Sequence, residues 1–159
     1  MASRRPREWI IYLLRRTSPF LIPVLILLFF LPSMTLAQVQ TRLRVIQASN
    51  VGSTIDPSLK DVHGQLGSLF SFTSYRLLKD ESLSLSPNRP VELSVHKGRS
   101  LELTLMGQRR DSAEIRVKIK GEGTEILNTQ VRLSPGRTVL IGGPKHGEGV
   151  AILALSARF

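Results

Sequence analysis

Cysteine is absent from this 159-residue chain, and aromatic residues are scarce, at 6% of the sequence. Without thiols the chain has no disulfides, no thiolate metal ligands and no cysteine nucleophile. Because extracellular eukaryotic domains of this size are often stapled by disulfides, the absence of cysteine favours a bacterial cell-envelope protein. It also removes the lipid-modified cysteine of a bacterial lipoprotein, so we expect a product without a lipid anchor.

Recognisable catalytic and cofactor-binding motifs are missing from the sequence as well. The three histidines, His63, His96 and His146, have no metal-ligand spacing among them, so no metal site is expected. No serine lies in a Gly-x-Ser-x-Gly elbow, and the scattered acidic residues form no recognisable acid and base pair. We therefore expect no catalytic residue and no cofactor, and the chain is predicted not to be an enzyme.

The first 37 residues have the pattern of an export signal. Five arginines, Arg4 to Arg16, precede an apolar run of 12 residues, Phe20 to Leu31, and Thr35-Leu36-Ala37 is the kind of site that signal peptidase cuts. The run is shorter than the roughly 20 residues of a membrane-spanning helix. Residues 1–37 are therefore predicted to be a signal peptide, and residues 38–159 a single exported domain of the periplasm or cell envelope. The alternative is an uncleaved inner-membrane anchor through residues 20–36.

The net charge of the chain is +10, but part of it belongs to this leader. Five of the 22 Lys and Arg residues and one of the 12 acidic residues lie in residues 1–37, which leaves 17 bases against 11 acids and a net charge of +6. Such a balance is typical of a soluble protein surface. With almost no aromatic side chains for bases to stack on, no nucleic-acid partner is expected. Membrane contact is expected only through the N-terminal segment, if that segment is not cleaved.

Residues 38–159 are dominated by the two-residue alternation of half-buried strands. The first strand is predicted over residues 41–47, where apolar Leu43 and Val45 alternate with Arg42 and Arg44. The two arginines are therefore expected on one face of the strand and the two apolar side chains on the buried face.

One amphipathic helix is predicted after this strand. Asp56 and Pro57 form a helix-start signal, because Asp can cap free amides and Pro is tolerated at the first helical position. Apolar residues then recur at three- and four-residue steps as far as about Phe70, and they are Leu59, Val62, Leu66 and Leu69. We expect this stripe to pack against a sheet.

Strands and hairpins are predicted from there to the end of the chain. Two short strands, residues 72–78 and 82–85, are expected around a turn at residues 79–81. Three hairpins follow, pairing residues 91–95 with 101–105, 115–119 with 125–133, and 138–141 with 150–155. The last pair is apolar on both faces, which predicts a central position. The fold class is thus α+β, mainly an antiparallel sheet or sandwich with one amphipathic helix, after an N-terminal signal helix.

The glycine-rich segment of residues 142–149 is the most unusual local sequence and is predicted to be a hairpin loop. It lacks the Gly-Lys-Ser/Thr ending of a phosphate loop. A mobile tip of this kind can contact a partner. The candidate partner-binding loop consists of Gly142, Gly143, Pro144, Lys145, His146, Gly147 and Glu148.

A candidate basic face is formed by Arg116, Lys118 and Lys120, which alternate along one predicted strand. Such a face can meet an anionic surface. Glu114 shares the face and Glu125 is expected across from it, which favours an ordinary solvated surface instead.

Residues 131–143, Val-Arg-Leu-Ser-Pro-Gly-Arg-Thr-Val-Leu-Ile-Gly-Gly, resemble a segment of bacterial secretins, the ring-forming outer-membrane channels of secretion and pilus systems. In that family, a strand, a glycine turn and a Thr-Val-Val-Ile-Gly-Gly run lie in the C-terminal channel domain. Here Pro144 and Lys145 follow, where the family continues with apolar residues, and the chain is too short to supply that domain. The resemblance implies an envelope β-domain that works beside such machinery.

The sequence therefore predicts a non-enzymatic binding or assembly module of the bacterial cell envelope, associated with secretion or pilus machinery and with an envelope protein as its partner. The alternative is a small exported enzyme or ligand-binding domain whose cleft forms only in the fold.

Overall fold

The computed structural model describes residues 38–96 and 98–159, and the predicted signal peptide or anchor lies outside them. The described residues form eight strands, a 3-10 turn and one α-helix. In chain order the elements are β1 (Val39–Ser49), the 3-10 turn (Pro57–Leu59), α1 (His63–Leu69), β2 (Ser74–Leu85), β3 (Pro90–His96), β4 (Arg99–Gln108), β5 (Ala113–Gly121), β6 (Thr124–Leu133), β7 (Thr138–His146) and β8 (Gly149–Arg158).

The strands form two four-stranded antiparallel sheets. Sheet A has the order β2-β1-β8-β7, and sheet B has the order β3-β4-β5-β6. Sheet B is built by consecutive hairpins, as the alternating sequence pattern predicts, whereas sheet A brings the first strand beside the last. The predicted α+β class, mainly antiparallel sheet in a sandwich with one helix, is confirmed for this part of the chain.

The main core lies between the two sheets and accounts for the alternation in the sequence. Every second side chain of the central strands is fully buried there, as in Leu43, Leu103, Val117 and Leu155. Burying one such side chain contributes roughly 1.5–3 kcal/mol. The stacking of the sheets is therefore the main source of stability.

A second core lies on the other face of sheet A, where the 3-10 turn and α1 cover one half of the sheet. Its buried residues are Ile46, Ala48, Leu59, Val62, Leu66, Tyr75, Ile152 and Ala154. The Tyr75 hydroxyl donates a 2.9 Å hydrogen bond to the carbonyl of Phe70 at the end of α1. β8 is thus covered on both faces, as predicted, but β7 lies at the sheet edge and is only half-buried, because β8 pairs with β1 on its other side.

The prediction of one continuous helix from Asp56 to Phe70 is wrong. Asp56 does cap the start, with its carboxylate accepting a 2.9 Å hydrogen bond from the Ser58 amide, but a 3-10 turn follows and α1 begins only at His63. Leu69, predicted to belong to the buried stripe, is 65% exposed. Two glycines inside α1 weaken a continuous helix. No helix among the described residues is long and apolar enough to cross a bilayer.

The predicted turn at residues 79–81 is also wrong, because β2 runs without interruption through them. These three charged residues match turn composition, but in the sheet they find partners of opposite charge. Asp80 pairs with Arg42 of β1, and Lys79 pairs with Glu81 at 3.0 Å. The irregularity appears instead as a register shift between Val45 and Ile46 of β1.

Candidate functional site

Three hairpin turns gather at one end of the sandwich. They connect β3 to β4 at Gly98, β5 to β6 at Glu122 and Gly123, and β7 to β8 at Gly147 and Glu148. We call this the three-turn end. All three hairpins were predicted from the sequence, but only the stacking of sheet A on sheet B brings their turns together.

The prediction that residues 142–149 form a loop is wrong, because most of the segment is strand. β7 continues to His146, which pairs with Gly149, and the turn contains only two residues. Two of the glycines permit close packing. A Cβ at Gly143 would lie 2.9 Å from the Ala151 carbonyl oxygen, and one at Gly149 would overlap the carbonyl of Ala48.

A cleft of about 480 Å³ opens between the sheets at the three-turn end. It is lined by Arg99, Gly121, Glu122, Ile126, Lys145, His146 and Gly147. Of the candidate partner-binding residues, Lys145, His146 and Gly147 line this cleft, and Glu148 is exposed in the turn beside it. Gly142, Gly143 and Pro144 lie further along β7 and do not line it.

Arg99 joins the two sheets across this cleft. Its guanidinium Nη1 donates a 2.5 Å hydrogen bond to the backbone carbonyl of Lys145, from β4 to β7. Gly121 lies beside the stem of Arg99, since a Cβ there would lie 2.7 Å from Ile126 Cδ1 and 3.3 Å from Arg99 Cγ. The cleft therefore combines a fixed guanidinium, a second cation at Lys145 and an apolar wall at Ile126, which is 43% exposed.

The turn that forms the rim of this cleft has an unusual backbone. Glu122 and Gly123 have φ values of 51° and 78°. Two successive residues with positive φ are the mark of a type I′ hairpin turn, which favours Asn-Gly. Glu122 is therefore a poor conformational fit to its position, and its carboxylate lines the cleft.

The candidate basic face lies on the outer side of sheet B, where Arg116, Lys118 and Lys120 alternate along β5. Glu102 of β4 accepts a hydrogen bond from Lys120 at 3.0 Å and lies 3.6 Å from Lys118. The hydrogen bond from Lys120 lowers the pKa of Glu102 and raises that of Lys120. Glu125 lies opposite Lys120 in the register, as predicted. The face thus carries mixed charge.

A polar groove that the sequence analysis did not identify lies on sheet A. It has a volume of about 830 Å³ and is lined mainly by polar residues of β1, β2, β7 and β8 and by Asp61. Two arginine forks organise it. Arg42 donates to both carboxylate oxygens of Asp80, at 2.8 and 2.5 Å, and Arg44 donates to both oxygens of Asp61, at 2.7 and 2.8 Å.

The two forks differ in burial. The Arg44 side chain is 3% exposed, whereas that of Arg42 is 48% exposed. Hydrogen bonds from the arginines lower the pKa values of Asp61 and Asp80, and the bond to Asp80 raises the pKa of Arg42. The spacing of Arg42 and Arg44 was a visible sequence signal, but the acidic partners are remote in the chain.

No group of three or more His, Cys, Asp or Glu residues that could hold a metal ion occurs within residues 38–96 and 98–159. No protein-family model, curated protein or solved structure matches this chain. The geometry of the three-turn end and of the groove is therefore the basis for assigning a function.

Proposed function

We propose that this protein is a non-enzymatic binding module of the bacterial cell envelope, and that it captures a partner protein at the three-turn end. The observation that carries the proposal is the cleft of about 480 Å³ between the sheets. Its volume lies in the range of ligand-binding clefts, roughly 300–1,000 Å³. Turns held at the end of a rigid sandwich are a common arrangement for recognition, since the scaffold fixes their positions.

The composition of the cleft supports binding in preference to catalysis. Arg99 is engaged with a backbone carbonyl, and its planar fork of N–H groups is suited to holding a ligand. Asp61, Asp80 and Glu102, whose pKa values are lowered by hydrogen bonds from Arg or Lys side chains, lie outside this cleft. Lowered carboxyl pKa values of this kind accompany ion pairs, whereas a general base needs a pKa nearer neutrality.

Export to the periplasm or cell envelope is part of this proposal and is supported by the leader of residues 1–37. The resemblance of residues 131–143 to a secretin segment supports a place beside secretion or pilus machinery. In the fold, this segment forms the end of β6, the crossing between the sheets and the first part of β7. β7 in turn carries Lys145 and His146 to the cleft.

The test is capture of the partner from the native host by a tagged full-length chain after in-cell crosslinking. Glu148→Trp places a bulky neutral side chain in an exposed turn beside the cleft, and Arg110→Trp does the same in an exposed turn at the opposite end. We expect an envelope protein to be captured by the wild type and by Arg110→Trp, and its yield to fall at least about tenfold with Glu148→Trp. Equal yields from both variants, or no captured partner, would contradict the proposal.

A second candidate function, binding of a small ligand, is favoured by the groove on sheet A. Its volume of about 830 Å³ exceeds that of the cleft, and its two arginine forks and neighbouring hydroxyls suit a polar ligand. Binding there would be abolished by Ser156→Trp, in the groove, and would be unaffected by Glu148→Trp. The two variants therefore separate the two functions.

A further inference from the structure

We propose that the cleft at the three-turn end recognises a carboxylate on an acidic segment of the partner protein, with an adjoining apolar side chain against Ile126. This inference rests on the proposed function and gives it a chemical specificity. It follows from the cations, the apolar wall and the rim of the cleft.

Arg99 provides the fixed part of the site. Its Nη1 bond to the Lys145 carbonyl holds the guanidinium across the gap between the sheets, so little side-chain freedom remains to be lost on binding. No other hydrogen bond from this guanidinium occurs among the described residues, which leaves N–H donors for a ligand. A planar fork of N–H groups matches the two oxygens of a carboxylate.

Lys145 and Ile126 provide the second and third elements. The Lys145 side chain is exposed and lines the same cleft as Arg99, so two positive charges face one space. Ile126 is 43% exposed and packs over Gly121, directly beside the stem of Arg99. A carboxylate with an apolar neighbour therefore satisfies both the charge and the exposed apolar surface of the cleft.

The negative charge of Glu122 is expected to weaken the binding of an acidic ligand. Its carboxylate lines the cleft rim and repels an incoming acid, while it offsets part of the positive charge in the free protein. Removing this charge should therefore strengthen acid binding. At a site for a cationic ligand, the same change would weaken binding. Glu122→Gln therefore tests directly whether the ligand is negatively or positively charged.

The probe is a fluorescein-labelled hexapeptide, Leu-Glu-Leu-Glu-Leu-Glu-amide, and its control is the same peptide with glutamine at each glutamate. Binding to the purified full-length chain is measured by fluorescence polarisation. We expect the Glu peptide to bind at least about tenfold more tightly than the Gln peptide, and its affinity to fall as salt rises. Equal binding of the two peptides would overturn the inference.

Four variants and a control show whether the peptide binds at the cleft or at another basic surface. Arg99→Gln is expected to weaken binding about tenfold or more, and Arg99→Lys to restore only part of it because the fork is lost. Lys145→Gln, at an exposed side chain, should weaken binding a few-fold without loss of fold, and Glu122→Gln should strengthen it. Arg116→Gln, on the outer face of sheet B, is the matched control and should change affinity less than about twofold.

Thermal unfolding of each variant shows whether it is folded. If Arg99→Gln does not fold, the affinity of Lys145→Gln still tests the inference. Inorganic phosphate is the competing oxyanion, since a guanidinium fork binds it equally well. Binding of phosphate at this cleft without binding of the Glu peptide would overturn the carboxylate assignment. The yield of captured partner distinguishes this inference from the proposed function. If the yield falls with Glu148→Trp but not with Lys145→Gln or Arg99→Gln, the inference is overturned and the proposed function stands.

Discussion

The buried Arg44 fork makes Asp61→Asn the most informative single substitution for stability. The change keeps the size of the side chain but removes the charge that neutralises a guanidinium only 3% exposed. Removing one partner of a buried ion pair costs about 3–5 kcal/mol, because the remaining charge stays buried without compensation. Since the Asp61 side chain is 57% exposed and water reaches one side of the pair, we expect a loss of about 2–3 kcal/mol.

Asp80→Asn is the matched control, because it removes the acid from the second fork of the same groove. Arg42 is 48% exposed, so water replaces the lost carboxylate and the cost is expected to be under about 1 kcal/mol. Both variants are measured by urea unfolding followed by circular dichroism. With a slope of about 1–3 kcal/mol/M, a loss of about 2–3 kcal/mol in Asp61→Asn should lower the midpoint by roughly 0.7–3 M.

Equal losses for the two variants would refute the role of burial in this argument. A loss below about 1 kcal/mol for Asp61→Asn would show that Arg44 is solvated after the change. The double variant Arg44→Met with Asp61→Asn provides a further check. It should recover most of the lost stability, since an apolar side chain of similar length leaves no charge to compensate.

The same pair predicts a pH dependence. The hydrogen bond from Arg44 lowers the pKa of the Asp61 carboxyl in the folded state. A carboxyl of this kind contributes stability that is complete above its unfolded pKa of about 3.9 and is lost as pH falls through the folded value. Between about pH 5 and pH 2, the wild type should therefore lose more stability than Asp61→Asn. Parallel curves for the two chains would contradict this assignment.

Backbone geometry gives two further predictions. Glu122→Asn suits the left-handed turn before Gly123 and is expected to raise stability by about 0.5–1 kcal/mol in urea unfolding, whereas a loss would contradict the turn assignment. Gly149→Ala places a Cβ against the carbonyl of Ala48 and should cost about 1–3 kcal/mol or more. In Gly67→Ala, inside α1, the added Cβ meets open space, and the free energy of unfolding should instead rise by as much as about 1 kcal/mol. Thermal unfolding of Gly149→Ala and Gly67→Ala therefore compares a packing clash with a gain in helix propensity.

The strands could be predicted from the sequence because their signal is local. Alternating apolar and polar residues specify one buried face wherever a sheet lies against a core, and all three predicted hairpins are present. The turn expected at residues 79–81 failed because composition alone does not reveal an ion pair across strands. Asp80 pairs with Arg42, 38 positions away in the chain, and β2 stays extended because it pairs with β1 through these residues.

The site could be predicted only in part. Lys145, His146 and Glu148 were identified from an unusual glycine-rich segment, and they do lie at the cleft or beside it. Arg99 and Ile126 carried no sequence signal, since their contribution depends on how sheet B stacks on sheet A. The Arg44 fork was missed for a different reason, because Asp61 reaches Arg44 only after the segment before α1 folds over sheet A.

Site-specific photocrosslinking in the native host tests partner binding at the three-turn end most directly. A photoreactive residue is placed in the full-length chain at position 122 or 148, in two turns of this end, and at position 110 or 137, in two exposed turns of the opposite end. We predict one adduct with the same envelope protein from positions 122 and 148, and none from positions 110 and 137. Adducts of equal yield from both ends, or from positions 110 and 137 alone, would contradict the account.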